Sequence, residues 1–209
     1  GTAGTAVGKG ALAANTTGNH NVSIGEDALA ANVTAHRATA VGYQALKASN
    51  VSGNSNSGNT AVGFQAGTAM TTGLANTLVG ALAGDALTDA DYNTAVGYGA
   101  LSTDTLGLRS TAVGYNTLSA QNFTSATTSY NTAVGFGAGA NVTTGVNNTL
   151  IGGNAGVTIT TGGSNVAVGY LALEDNTTGN NRSEERRVGK ECRSRVWVGV
   201  QVAQLLLEF

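Results

Sequence analysis

The sequence predicts an all-β fold: a parallel β-solenoid, or β-roll, of about ten 17-residue rungs, two of them lengthened to 21. Three observations predict it. A pentad of the form Asn-Thr-Ala-Val-Gly recurs along the chain, with its glycine at Gly8, Gly25, Gly42, Gly63, Gly80, Gly97, Gly114, Gly135, Gly152 and Gly169. Successive spacings are 17, 17, 21, 17, 17, 17, 21, 17 and 17, too short for a two-helix repeat and suited to strand followed by turn. The composition is also unlike that of a two-layer domain: 31 Gly, no Pro and 11% charged residues, against about 25% charged on average.

Each rung begins at the Asn position. The clearest run from Asn93, NTAVGYGALSTDTLGLR, and from Asn165, NVAVGYLALEDNTTGNN. The residue before the glycine is always Val or Ile, giving a ladder of Val7, Ile24, Val41, Val62, Val79, Val96, Val113, Val134, Ile151 and Val168. Side chains alternate along a strand, so Thr and Val share one face while Asn and Ala share the other. The β-branched ladder is the natural inward face; Ala95, Ala112 and Ala133 are then either buried about the common axis of a trimer or left outside a monomeric solenoid held by backbone ladders and Asn or Thr stacks. The unvarying glycine marks a corner that needs positive φ or close backbone approach.

Beyond the corner, an aromatic follows in six rungs, as Tyr43, Phe64, Tyr98, Tyr115, Phe136 and Tyr170. The eighth position is Ala in nine of ten rungs, with Thr117 the exception, and the ninth is always Leu or Gly. Ala-Leu-Ala segments such as residues 11–14 are compatible with short helical turns. The two long rungs place their four extra residues in polar stretches, residues 49–58 and 121–130, where a loop can bulge without breaking the stack. Residues 38–109 and 110–181 are both 72 long, each one 21-residue rung followed by three of 17, as expected from duplication of a four-rung block. At about 4.8 Å per rung the rod spans roughly 45 to 50 Å.

The NTAVGxxAL pattern resembles the head repeats of trimeric autotransporter adhesins, whose units carry a similar Ser-Val-Ala-Ile-Gly motif, and repeat regions of phage tail-fibre proteins. The resemblance covers residues 1–181. It implies a left-handed, trimeric β-roll that presents loops to a host-surface or matrix receptor, protein or glycan. Two departures stand out: the rung is 17 residues rather than about 14 or 15, and Thr replaces the first Val. Gly1 matches a late-rung glycine, so the array is expected to continue upstream.

At Arg182 the character changes. RSEERRVGKECRSR carries six of the ten Lys and Arg and the single Cys, where another pentad would stand. Residues 182–195 resemble translated read-through of a sequencing-library adapter, so residues 182–209 are expected to be a non-native or disordered tail and residues 1–181 the repeat domain. Those 181 residues contain eight acidic and four basic side chains, a net charge of −4, and no Cys. Nucleic-acid binding and thiol chemistry are disfavoured. No stretch approaches the apolar length of a membrane span.

Catalytic and metal-binding signals are sparse. His20 and His36 fall in neighbouring inter-rung turns, yet no further ligand recurs there. Glu26-Asp27 and Glu174-Asp175 are isolated acidic pairs without a partner to separate their acid and base roles. Asp85, Asp89, Asp91 and Asp104 cluster in two rungs, unlike calcium-binding nonapeptide repeats, which need an Asp in every turn. Glycine recurs with the rung rather than in a phosphate loop. The expectation is therefore no enzyme, no cofactor and no metal. The chain reads as a structural, adhesive segment of an extracellular, cell-surface or virion fibre, the expected partners being two further copies and a receptor. The alternative is an ice-binding solenoid using Thr5, Thr39, Thr60, Thr77, Thr94, Thr111, Thr132 and Thr149. That alternative requires the threonines to face outward, against their shared parity with the ladder expected inside.

Overall fold

The computed structural model describes residues 4–53 and 55–186. Thirteen short strands succeed one another: β1 (Thr5–Val7), β2 (Val22–Ile24), β3 (Thr39–Val41), β4 (Thr60–Val62), β5 (Thr77–Val79), β6 (Thr94–Val96), β7 (Gly107–Leu108), β8 (Thr111–Val113), β9 (Thr127–Thr128), β10 (Thr132–Val134), β11 (Thr149–Ile151), β12 (Val166–Val168) and β13 (Ser183–Glu185). Eleven of them form one parallel sheet in chain order, with β7 and β9 pairing separately. The chain is a β-solenoid of about eleven turns, and each pentad lies directly on the next: Thr94 beside Thr111, Ala95 beside Ala112, Val96 beside Val113. The register passes through the 21-residue rung unchanged, with Thr39 beside Thr60 and Val41 beside Val62.

The inward face is the opposite of the one expected. Ala40, Ala61, Ala95, Ala112, Ala133 and Ala167 are fully buried, as are Leu78 and Leu150 at the same position, whereas Val7 is 57% exposed and Ile151 40%. Parity had correctly separated Asn and Ala from Thr and Val; the error lay in assigning the larger hydrophobes to the interior. The interior is too narrow for a β-branched side chain on every strand, because the eighth-position alanines project into it from the opposite side. Ala28, Ala45, Ala66, Ala83, Ala100, Ala138, Ala155 and Ala172 are all fully buried. The alanines are thus covered within one chain rather than by a neighbour.

Larger groups enter this core by turns. Where the ninth position is Leu, as at Leu29, Leu46, Leu101 and Leu118, the twelfth is polar: Asn32, Ser49, Asp104 and Gln121. Where the ninth is Gly, as at Gly67, Gly84, Gly139 and Gly156, the twelfth is Met70, Leu87, Val142 or Ile159, each fully buried. Leu78 and Leu150 each sit on a rung whose own ninth residue, and that of the rung before, is glycine. A Cβ on Gly84 would stand 2.7 Å from Leu87 Cδ1 and 2.8 Å from Leu78 Cδ2. Close packing leaves room for one bulky group at each place and no more.

The turns also differ from helical expectation. Residues 11–14 form successive turns in which Leu12 has φ 51°, and no helix occurs among the described residues. Left-handed residues recur at the seventh and ninth positions, for example Gln44 (φ 55°) and Leu46 (φ 49°). The amides at these two positions point in opposite directions along the rod. Gln44 N–H donates back to Glu26 at 2.9 Å and Leu46 N–H forward to Ala66 at 3.0 Å. The ladder therefore continues through a segment that is not extended.

Two further ladders hold the rungs in register. Each buried asparagine at the first position accepts from the first amide of the next rung and donates to a carbonyl across its own. Asn93 Oδ1 accepts from Ser110 N–H at 2.8 Å, and Asn93 Nδ2 donates to Gly107 at 2.8 Å. The corner glycines have φ between 119° and 141°, a region essentially confined to glycine. A Cβ on Gly80 would in addition meet the Gly97 carbonyl oxygen at 2.5 Å.

Of the expected tail, only residues 182–186 are among those described. β13 pairs with β12, placing Ser183 beside Val166 and Glu185 beside Val168, without the pentad and with Arg186 at the corner. An open edge of main-chain donors and acceptors accepts a strand with little regard to its side chains. Residues 187–209, including the Cys and the Trp, lie outside the described residues.

Candidate interaction surface

With Ala inside, the Thr and Val files lie together on the outer face of the sheet. Threonines 60, 77, 94, 111, 132 and 149 stand side by side in register, flanked by Val62, Val79, Val96, Val113, Val134 and Ile151. Val22 and Val166 replace Thr in the second and tenth rungs. The ladder side chains are half-buried to exposed, with Ile24 at 39%, Val62 and Val134 at 37% and Val168 at 36%. The result is an uncharged strip two side chains wide and about 45 Å long, repeating at about 4.8 Å along the rod. No charged side chain occupies either file from β1 to β12. Contiguous apolar patches of this extent on a protein surface mark places of contact.

Past the glycine corner runs the aromatic file. Tyr43 stacks on Phe64 with centroids 5.3 Å apart, and Tyr98, Tyr115 and Phe136 form a continuous stack at 5.5 and 5.1 Å. The stacks stop where the sixth residue is Ala81 or Gly153. At the opposite corner, the guanidinium of Arg109 lies between the rings of Tyr92 and Tyr130, 5.6 and 5.7 Å from their centroids, and donates to the Tyr130 hydroxyl at 2.9 Å.

The sequence had pointed to titratable pairs, which the fold occupies otherwise. His36 Nδ1 accepts the Asn19 N–H at 2.8 Å, and no cluster of three metal-ligating side chains occurs among the described residues. Glu26 pairs with Lys9 and Asp27 with Lys47, both at 3.2 Å, and Glu174 with Arg186 at 3.4 Å. Glu26 and Asp27 thus pair with lysines of two different rungs, and Glu174 with an arginine of the next.

Two features escaped sequence reasoning. Asp104 is fully buried and accepts from Gly107 N–H, Phe123 N–H and Gln121 Nε2 at 3.1, 3.2 and 2.6 Å. Gln121 also donates to Ser110, which takes the place of the ladder asparagine, and accepts from Asn131. The signal available was the coincidence of Ser at the first position with Gln at the twelfth of one rung. Asp85 carries a carboxyl pushed above its ordinary value of 3.8, chiefly by burial against the lowering effect of backbone hydrogen bonds, and its Oδ1 has no hydrogen-bond partner.

Fold and surface together define the class: a parallel β-solenoid repeat protein. No family model, curated protein or solved structure matches the chain.

Proposed function

We propose that the chain is a rod-like, non-catalytic segment of an extracellular or virion fibre, assembled as a trimer through the Thr/Val face of its sheet. The observation that carries this reading is the uncharged outer strip, in which half-exposed Val and Ile repeat without interruption over ten rungs. Three such strips facing a common axis bury the apolar ladder that one chain leaves in water, at about 25 cal/mol per Å² of apolar surface removed. The interface moves from the alanine face, which each chain covers for itself, to the Val face. The remaining corners and polar turns stay outward for a receptor, and many weak contacts along a rod add by multivalency.

Sedimentation of the chain tests the assembly. The expected species has three times the monomer mass, and Val96→Glu with Val113→Glu gives a monomer that keeps its β circular dichroism, since both side chains lie outside the core. A well-folded wild-type monomer refutes the trimer.

A second reading has its own support. The six consecutive threonines face outward in register beside a file of methyl groups, which removes the parity objection raised from sequence. Hydroxyls held in register on successive parallel strands suit ordered water, and on this reading the same strip binds ice in a monomer. Thermal hysteresis by a monomeric wild type, lost in Thr94→Glu with Thr111→Glu, selects it over the fibre.

A further inference from the structure

The aromatic file contains two vacancies, and the opposite corner shows what fills such a vacancy. Tyr92 and Tyr130 sit two rungs apart, and the rung between them supplies Arg109, whose guanidinium lies within 6 Å of both centroids. Phe64 and Tyr98 are likewise two rungs apart, and so are Phe136 and Tyr170, but the intervening residues are Ala81 and Gly153. Each pair therefore brackets a position of the same rung count whose own residue supplies no ring or guanidinium to fill it.

The rings are positioned to use the slot. Phe64 already stacks on Tyr43 and Tyr98 on Tyr115, with interplanar angles of 13° and 12°, so their planes lie across the rod and their second faces look toward Ala81. Phe64 is 51% and Tyr98 50% exposed, while Phe136 and Tyr170 reach 62% each. Tyr170 leans over Gly153, its Cδ2 3.3 Å from where a Cβ would stand, so the second slot opens by a turn of that ring. The face of an aromatic ring is its negative pole and attracts a cation within about 6 Å. The chain's charge over residues 1–181, eight acids against four bases, favours a basic ligand.

We infer that the clefts Phe64–Ala81–Tyr98 and Phe136–Gly153–Tyr170 each take the guanidinium of an arginine from a basic partner segment. A planar, weakly hydrated guanidinium stacks between two rings as an ammonium does not. The clefts are four rungs apart, about 19 Å, which an extended chain spans with arginines about six residues apart. The site lies past the glycine corner and off the Thr/Val face, so it goes beyond the reading above and holds whether that strip meets a second copy or ice.

The test uses the whole chain and a Ser/Gly peptide with two arginines six residues apart, a lysine version of it, and a panel of methyl hexopyranosides, followed by proton NMR. The expected result is saturable upfield ring-current shifts of the arginine side-chain protons, with affinity at least several-fold weaker for the lysine peptide. The pair Ala81→Tyr and Gly153→Tyr, which restores the residue most common at this position and completes the ring stacks, keeps the fold and abolishes the shifts. Absence of upfield shifts, shifts that persist in the double variant, or hexopyranosides binding in place of the arginine peptide would each overturn the proposal.

Discussion

Replacing Leu78 by Ala gives it the side chain found at that position in most rungs, yet it should be among the most damaging changes to the core. Leu78 is fully buried, and the ninth positions it covers, Gly67 and Gly84, have no side chains with which to refill the space. A hole that cannot collapse costs about 3 kcal/mol for Leu→Ala. Gly84→Leu alone should also cost about 3 kcal/mol, from overlap with Leu78 and Leu87 together with a left-handed backbone. That backbone is tolerable for Leu, since Gly84 has φ 56° and Leu101, in the next rung, has φ 54°. In the double variant the new Leu occupies the vacated space. The expected loss falls to about 3 kcal/mol in place of about 6, a coupling of about 3 kcal/mol between the two sites. Urea unfolding followed by far-ultraviolet circular dichroism measures the totals, and amide exchange of the adjoining rungs shows whether the loss is local, as a one-dimensional array allows. Additivity of the two single losses to within about 0.5 kcal/mol would refute the idea that the ninth and third positions share one volume.

Three other perturbations probe the ladders and the buried acid. Gly80→Ala combines φ 134° with a Cβ 2.5 Å from the Gly97 carbonyl, so a loss of at least about 3 kcal/mol is expected from backbone strain and overlap; an unchanged melting temperature would contradict it. Asn93→Ala leaves Ser110 N–H and the Gly107 carbonyl unpaired, at about 1 to 3 kcal/mol for each group that stays dry, and amide exchange at Ser110 should accelerate. Because burial raises the Asp85 carboxyl above 3.8, the native state binds the extra proton. Its contribution to stability is complete below 3.8 and is lost as pH rises through the folded value. Asp85→Asn should flatten that part of the stability profile, and urea midpoints that keep the wild-type slope from pH 3 to 7 would disprove the assignment.

The repeat made most of the fold legible: the 17-residue spacing, the 21-residue exceptions and the corner glycines all map onto consecutive turns with their pairing intact. Orientation was not legible from parity, because alternation separates Thr and Val from Asn and Ala without saying which pair is inside. The discriminating signal lay elsewhere in the rung. An eighth position that is nearly always Ala, facing a third position that is Ala in most rungs, describes an interior with no room for Val96 or Val113. The exchange between Leu and Gly at the ninth position, matched by polar and apolar residues at the twelfth, says the same. The left-handed seventh and ninth positions were hidden because residues such as Gln44 and Leu46 do not advertise positive φ as glycine does.

Turning the strands over changes what the surface can do. A rod with Val inside would show water only Asn and Ala, and any assembly would have to begin from small side chains that bury little area. With Ala inside, the core is complete in one chain, and the β-branched residues become available at one face in strict register. A trimer axis and an ice plane make opposite demands on that face, since the first hides the threonines and the second needs them in contact with water. The clefts at Ala81 and Gly153 escape this competition because they lie around the corner, where the glycine ladder turns the chain away from the sheet.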